Sequence, residues 1–455
     1  MSGLSCFTAY DIRGRLGVDL DEAIAYRIAR GFAQTLNART VVIGRDIRAS
    51  SEGLAKSVTR GLIDQGCKVL DLGLCGTEEM YFAVSHFGAD GGICVTASHN
   101  PMDYNGMKMV RAGSAPLDAA TGLARIRESA EADAFQDNAT PGSVVNVSDE
   151  ARTAYVARVC QFVDITALKP IKVLVNAGHG TAGPTFDAIA DYLSTSGAPL
   201  AFERIFHEPD GTFPQGIPNP LLAENRPATA QAVRDAGADF GVAWDGDFDR
   251  CFFFDHAGTF IDGEYVVGLL AEAFLAKDPA ATVIHDPRII WNTQDIVSKA
   301  GGRAVQSRTG HAFIKHAMRD ENAVYGGEMS AHHYFRDFVF CDSGMIPWLL
   351  VAELVCRHGP LADLVADRKA AFPSSGEINF TLDDPKAAIA RVRTEFAPKA
   401  RAIDEMDGSS FDLGEWRFNL RSSNTEPVVR LNVEAHDDRM LVVDGVEHVK
   451  RILLG

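Results

Sequence analysis

Short apolar runs separated by one helix length recur along this chain, and that rhythm limits the architectures open to it. Between positions 21 and 37, Ile24, Ile28, Phe32 and Leu36 fall at steps of four and lay one apolar stripe along a helix. An apolar run at 41–43, a helix near 51–64 and a second run at 69–72 follow. Strand, helix, strand at this spacing predicts a parallel α/β unit, because a parallel connection needs a crossover of a dozen residues or more. The rhythm returns from 171 and again from 281, then gives way after 371 to a strand at 377–382, a helix at 385–397 and two β-like runs around 421–425. A chain of 455 residues exceeds the size at which one core keeps growing, so several domains of roughly 100–150 residues are expected. The expected boundaries give an α/β domain at 1–150, a second at 151–255, a third at 256–370 and a smaller α+β domain at 371–455.

Composition removes several classes of function. A net charge of −17 disfavours nucleic acid and anionic membrane as partners, and requires that an anionic substrate be drawn in by a local basic pocket. The start MSGLSCFTAYDIRG carries no basic segment leading into an apolar one, and no apolar run reaches about 18 residues, so a cytoplasmic location is expected. The eight cysteines form no CxxC pair and are expected as reduced, mostly buried thiols.

Four loops carry the chemistry. The first lies in GGICVTASHNPMDYNGMK, residues 91–108, where a short buried strand breaks into a polar turn at Ser98. A strand-end hydroxyl flanked by His99 and Asn100, with Lys108 ten positions on, is placed to act as a nucleophile or to carry a phosphoryl group. The second is DGDFDR at 245–250, between two apolar runs. Aspartates at alternate positions of a tight loop can converge as hard oxygen ligands of the kind Mg²⁺ prefers. An EF-hand begins similarly, but here the glycine comes second and His256 occupies the twelfth position, which excludes the Ca²⁺ loop. The third is GEMSAHH, where Glu328 and Ser330 can bind sugar hydroxyls; the adjacent His332 and His333 point apart in extended chain and are read as structural. The fourth is RSSNTEP, whose Arg421, Ser423, Asn424 and Thr425 supply the forked and single donors that encircle a phosphate. Gly178, Gly180 and Gly183 spell a dinucleotide fingerprint with Glu203 twenty residues further on, but Glu203 lies inside AFERIF, and the glycines are read as packing a strand-to-helix turn.

A phosphoryl carrier, a metal loop, a sugar loop and a phosphate loop together describe phosphoryl transfer on a sugar phosphate. A phosphorylated serine adds about −1.5 to −2. With three aspartates and one Mg²⁺, about three negative charges remain, so cations must crowd the site. Arg13, Lys108, Arg250, Arg288 and His311 are the candidates.

TASHNP, DGDFDR, GEMSAHH and RSSNTEP, in this order, resemble the α-D-phosphohexomutase family over essentially the whole chain. FTAYDIRG, HDPRIIWNT and CDSGMIPWLL are most like its bacterial branch acting on mannose phosphates, which supplies GDP-mannose. The resemblance implies three similar α/β domains with mixed sheets and a smaller C-terminal α+β domain around a central cleft, with that last domain closing over the substrate. It implies an isomerase that interconverts mannose 6-phosphate and mannose 1-phosphate through a phosphoserine and a hexose 1,6-bisphosphate, which also serves as activator. Carried over by position, Ser98 is the phosphoserine and a Mg²⁺ ligand together with Asp245, Asp247 and Asp249, and Tyr10 and Arg13 line the site. Arg250 stands beside the aspartates, and Lys108 and His311 are the proton-transfer residues. Glu328 and Ser330 hold sugar O3 and O4, Arg421, Ser423, Asn424 and Thr425 grip the non-reacting phosphate, and Arg288 stands where some relatives have lysine. His179 departs from the NAGNG common among relatives. Small sugar phosphates are the expected partners of a monomer or weak homodimer. Use of glucose phosphates as well, and a metal-dependent sugar-phosphate phosphatase, are the alternatives; a nicotinamide-linked oxidoreductase would need the glycine fingerprint.

Overall fold

A computed structural model describes residues 3–422 and 428–455. Its contacts divide the chain into two compact units, Met1–Phe260 with Tyr334–Pro360, and Ile261–His333 with Leu361–Gly455.

In the first unit one mixed sheet runs in the order Ile12–Arg15, Tyr104–Arg111, Gly91–Val95, Thr40–Arg45, Lys68–Leu74, Ser143–Asn146. Its central strands are parallel, as the crossover spacing requires, while Gly91–Val95 and Tyr104–Arg111 are antiparallel and pair Cys94 with Lys108. That register carries Lys108 back beside the strand whose end becomes the Ser98 turn. The helix Glu22–Leu36 buries Ile28 and Phe32 of the predicted stripe, and Asp21 caps it by accepting from the Ile24 N–H at 2.7 Å. Just before the expected end of the first domain at 150, a further strand, Ser143–Asn146, pairs in parallel with Lys68–Leu74. All its residues are exposed, and its two valines are adjacent, so it shows no alternation of apolar and polar positions.

A second set of strands in this unit lies in the order Cys251–Asp255, Phe240–Trp244, Ile171–Asn176, Leu200–Ile205. Phe240–Trp244 and Cys251–Asp255 are antiparallel with Trp244 opposite Cys251, so residues 245–250 form the loop between them. The glycines at 178–183 serve packing: a Cβ on Gly180 would lie 2.7 Å from the Gly246 carbonyl oxygen, and one on Gly183 2.1 Å from that of His207. The helix Met345–His358 belongs to this unit, where the Trp244 indole donates to the Gly344 carbonyl at 2.9 Å and the Asp164 N–H to Glu353 at 3.0 Å.

In the second unit Thr282–His285 pairs in parallel with Arg303–Gln306 and with Tyr325–Gly327. The C-terminal sheet is antiparallel, in the order Ser374–Thr381, Val428–Ala435, Trp416–Ser422, Ser409–Asp412, Ala402–Asp404. Phe396, Phe411, Phe418, Leu431 and Val449 fill the core between it and the helices Pro385–Phe396 and Arg439–Leu454. Among the described residues no helix is long and apolar enough to cross a membrane. The eight cysteines are all buried free thiols.

Candidate active site

In the first unit the chain leaves the Gly91–Val95 strand and turns at Ser98, which takes the left-handed conformation with φ 48°. A non-glycine residue held there stores on the order of 1 kcal/mol or more, and such strain persists only where the surroundings fix it. The Ser98 N–H donates to the Thr96 hydroxyl at 2.9 Å, and its own hydroxyl donates to Asp245 Oδ2 at 2.6 Å. His99 Nδ1 lies 3.0 Å from Ser98 Oγ. The nucleophile candidate thus sits directly on the acidic loop, although 147 residues separate the two in sequence.

That loop is turned inward by Phe248, a left-handed residue with φ 46° whose ring is fully buried against Gly76. A Cβ at Gly76 would fall 2.2 Å from the ring, so only glycine admits it. Around this anchor Asp245, Asp247 and Asp249 are 0%, 0% and 1% exposed, and carboxylate oxygens of the three lie within 4.8 Å of one another. Asp247 Oδ2 accepts from Thr77 at 2.7 Å, Thr96 at 3.1 Å and Lys108 at 2.9 Å. Lys108 also donates to Asp249. Arg250 Nε donates to Asp245 Oδ2 at 2.8 Å, and its Nη2 lies 2.7 Å from the same oxygen.

Charges this close shape one another. Burial and the Asp249 charge act to raise Asp247, but Lys108 and the Thr77 hydroxyl outweigh them and hold it below the usual carboxylate range. Asp245 is pushed up, by burial first, with Arg250 opposing. Burial acts against the Lys108 ammonium, yet Asp247 and Asp249 raise its pKa, so it stays protonated throughout the physiological range. Arg13, on the edge strand Ile12–Arg15, donates to the Thr96 carbonyl and lies 3.6 Å from Asp11. Tyr10 is half-buried just before that strand.

The second unit brings another set of predicted residues together. Arg288 is buried and donates to Asp286 at 2.7 Å and to Ser330 Oγ at 3.2 Å, with Glu328 at 3.8 Å and Glu377 at 3.4 Å. Glu328 accepts the Gly310 N–H at 3.1 Å, directly before the helix His311–Asp320, so His311 stands at a helix N-terminus fixed by the Glu328 carboxylate. Asp407 accepts from Arg421 at 3.2 Å and from the Thr309 N–H at 3.3 Å. Burial, then the neighbouring Arg288 charge, pull the Arg421 guanidinium below its ordinary value. Arg288, Arg421 and Arg430 thus lie close enough to feel one another's charge, each with a carboxylate beside it. Ser423, Asn424 and Thr425 lie outside the described residues. His333 is buried and bonded to the Tyr325 hydroxyl at 2.7 Å, consistent with the structural reading of that histidine.

Comparison with known proteins matches every part of this arrangement in chain order. The families described as phosphoglucomutase/phosphomannomutase alpha/beta/alpha domains I, II and III match residues 5–137, 153–258 and 262–372, and the corresponding C-terminal domain matches 377–442. The chain belongs to the phosphoglucomutase/phosphomannomutase family. A phosphomannomutase of Salmonella montevideo is 57% identical over 456 residues, covering 100% of both chains. A protein of Xanthomonas campestris named phosphohexose mutases is 54% identical over 99% of this chain and 100% of its own. A crystal structure of a family protein from Burkholderia thailandensis superposes with a TM-score of 0.86 at 30% identity, covering 100% of this chain and 98% of that one.

The three aspartates of this family member fit a metal ion. Among the described residues Asp245 Oδ1 and Asp247 Oδ1 are buried without a hydrogen-bond partner, a costly state for a carboxylate oxygen unless a cation faces it. With Lys108 and Arg250 counted, three carboxylates leave about one negative charge, and a phosphoryl group on Ser98 would add about 1.5 to 2 more, which a divalent cation balances. An all-oxygen set suits a hard ion such as Mg²⁺. Sequence reading missed Thr77, which orients Asp247 from the start of a helix, and Asp286 and Asp407, which hold Arg288 and Arg421. Thr77 lies 170 positions from Asp247 and Asp407 lies 14 from Arg421, so neither pairing shows locally, whereas Asp286 stands two before Arg288 and was open to reading.

Proposed function

We infer that this protein is a phosphomannomutase, interconverting mannose 6-phosphate and mannose 1-phosphate through a phosphoserine at Ser98 and a hexose 1,6-bisphosphate, and so supplying GDP-mannose synthesis. The observation that carries the reading is the Ser98 hydroxyl held 2.6 Å from Asp245, whose carboxylate is clamped by Arg250. Full-length relatives above half identity that bear the phosphomannomutase name support the sugar assignment.

Phosphoserine 98 gives its phosphoryl group to O1 of mannose 6-phosphate: the bond from phosphorus to Ser98 Oγ breaks, one to O1 forms, and the O1 proton leaves to a base. The bisphosphate then reorients: its phosphorus–O6 bond breaks as one to Ser98 Oγ forms, the Ser98 hydroxyl returns its proton to the acid group, and O6 takes the proton held by the base. Lys108, held as an ammonium, serves as acid and charge neutraliser, and the base role falls to His311. Arg250 opposes the rise that burial causes in Asp245 while the phosphoryl group leaves Ser98 Oγ and returns to it. Glu328 and Ser330 hold the sugar hydroxyls, and Arg288 and Arg421, with Ser423, Asn424 and Thr425, take the phosphate not in transit. Mg²⁺ held by Asp245, Asp247, Asp249 and the Ser98 phosphate would neutralise charge on the transferring group. Positioning and electrostatics then provide most of the rate.

The test follows conversion of mannose 1-phosphate with Mg²⁺ and a catalytic amount of bisphosphate while inorganic phosphate is measured in parallel. Conversion with negligible phosphate release is expected. Phosphate released in step with substrate consumed would replace the mutase with a phosphatase. Glucose 1-phosphate in the same assay reads dual specificity, which the Xanthomonas relative's broader name favours.

A further inference from the structure

The Ser98 turn is gripped from behind by a residue that takes no part in the chemistry assigned above. Arg48 lies in GRDIRASS, at 44–51, just beyond the strand Thr40–Arg45, and is 3% exposed. Its guanidinium faces the main chain of the catalytic turn. Nη2 donates to the Ser98 carbonyl at 2.9 Å and to the Asn100 carbonyl, while Nη1 donates to the carbonyls of Pro101 at 2.9 Å and Tyr104 at 3.2 Å. A guanidinium presents its donors in one fixed plane, so carbonyls bound to it are fixed relative to one another, which a lysine's single ammonium cannot reproduce.

Arg48 is itself held. Asp46 Oδ1 accepts the Arg48 N–H at 3.0 Å and the Ser51 hydroxyl, and Asp46 Oδ2 lies 3.6 Å from Arg48 Nε. Asn105, beside the turn, donates to Ser50 at 2.7 Å and to Ser51 at 2.9 Å, tying the same stretch to the far end of the turn. From the other side Gly211 packs so closely that a Cβ there would fall 2.3 Å from the Ile47 carbonyl oxygen.

We propose that Arg48 is a positioning residue for phosphoryl transfer: by binding four carbonyls of the Ser98 turn it imposes the left-handed backbone that aims the Ser98 hydroxyl at Asp245. Ser98 is fixed at both ends, its N–H by Thr96 and its carbonyl by Arg48, which leaves the side chain as the part free to load and unload. A displacement of about 1 Å at a reacting group costs on the order of 100-fold in rate, so a carrier that must donate to two ends of a sugar in turn needs such a frame.

This assignment rests on Ser98 being the phosphoryl carrier, and amide hydrogen exchange separates the two because it reads the clamp without turnover. In Arg48→Ala the Ser98 and Asn100 amides are expected to exchange at least about tenfold faster, with the strands Thr40–Arg45 and Gly91–Val95 unchanged; kcat should fall about 10- to 100-fold and KM stay within about threefold. Millimolar guanidinium should restore kcat saturably in Arg48→Ala and not in Arg30→Ala, which removes a buried guanidinium bonded to Tyr26 instead. Arg48→Lys, which keeps the charge, should retain the fold and show the same kcat loss in smaller degree. Exchange raised evenly across the first sheet, absence of rescue, or failure of both variants to fold would overturn the proposal and make Arg48 a purely structural residue. Unchanged exchange and unchanged kcat would overturn it as well.

Discussion

Lys108 stands between two buried carboxylates, Asp247 at 2.9 Å and Asp249, and is itself almost wholly buried. Removing one partner of such a group leaves the others uncompensated, at a cost of about 3–5 kcal/mol. Lys108→Met is therefore expected to unfold at lower temperature than wild type in chelator, and to gain more from added Mg²⁺ than wild type does, since the cation replaces the missing charge. Thermal unfolding of both proteins with and without Mg²⁺ checks this; equal Mg²⁺ shifts would argue against ion binding at the aspartates. Ser98 and the aspartates were legible in the sequence because each sits in a short polar loop at a strand end, where chemistry-bearing side chains gather. Arg48 was not, because what it recognises is main-chain carbonyl, and carbonyl oxygens carry no residue identity. Thr77 was hidden for a related reason: a threonine opening a helix is ordinary until the fold brings Asp247 to it.

At the scale of elements, the start of the helix Gly263–Leu275 is tied to the start of the strand Ser374–Thr381 by a partly buried contact, the Ser374 hydroxyl donating to Glu264. Glu264 Oε2 is buried without a hydrogen-bond partner among the described residues, and burial, with Asp262 adding to it, pushes the carboxyl up to about 8. The folded state therefore keeps a proton that the unfolded chain, with an ordinary glutamate, releases at lower pH. The resulting stabilisation is complete below about pH 4.5 and is lost as pH rises through about 8. Glu264→Gln has no such proton to lose, so its melting temperature should overtake that of wild type progressively between about pH 5 and about pH 8. Parallel melting curves across that range would show Glu264 ionised at no extra cost. The helices and central strands were readable from periodicity, since Ile28 and Phe32 are buried where the stripe put them. Ser143–Asn146 escaped because it is four residues long and its two exposed valines are adjacent, which gives no alternation to read.

For the molecule as a whole, motif order carried the family, and the four domain matches follow that order. Sequence order did not carry the compact units: Met345–His358 lies within the matched third domain, yet it is bonded to Asp164 and Lys169 of the first unit. Long-range contacts of that kind are set by packing, which a pass along the chain cannot see. The proposed function depends above all on Ser98 carrying the phosphoryl group. The direct test treats the protein with mannose 1,6-bisphosphate labelled at phosphorus, maps the label by proteolysis and mass spectrometry, and chases with mannose 6-phosphate. Label on Ser98 alone that moves into sugar phosphate on the chase, and none in Ser98→Ala, is the expected result. Label on another residue, label retained in Ser98→Ala, or release as inorganic phosphate would contradict it.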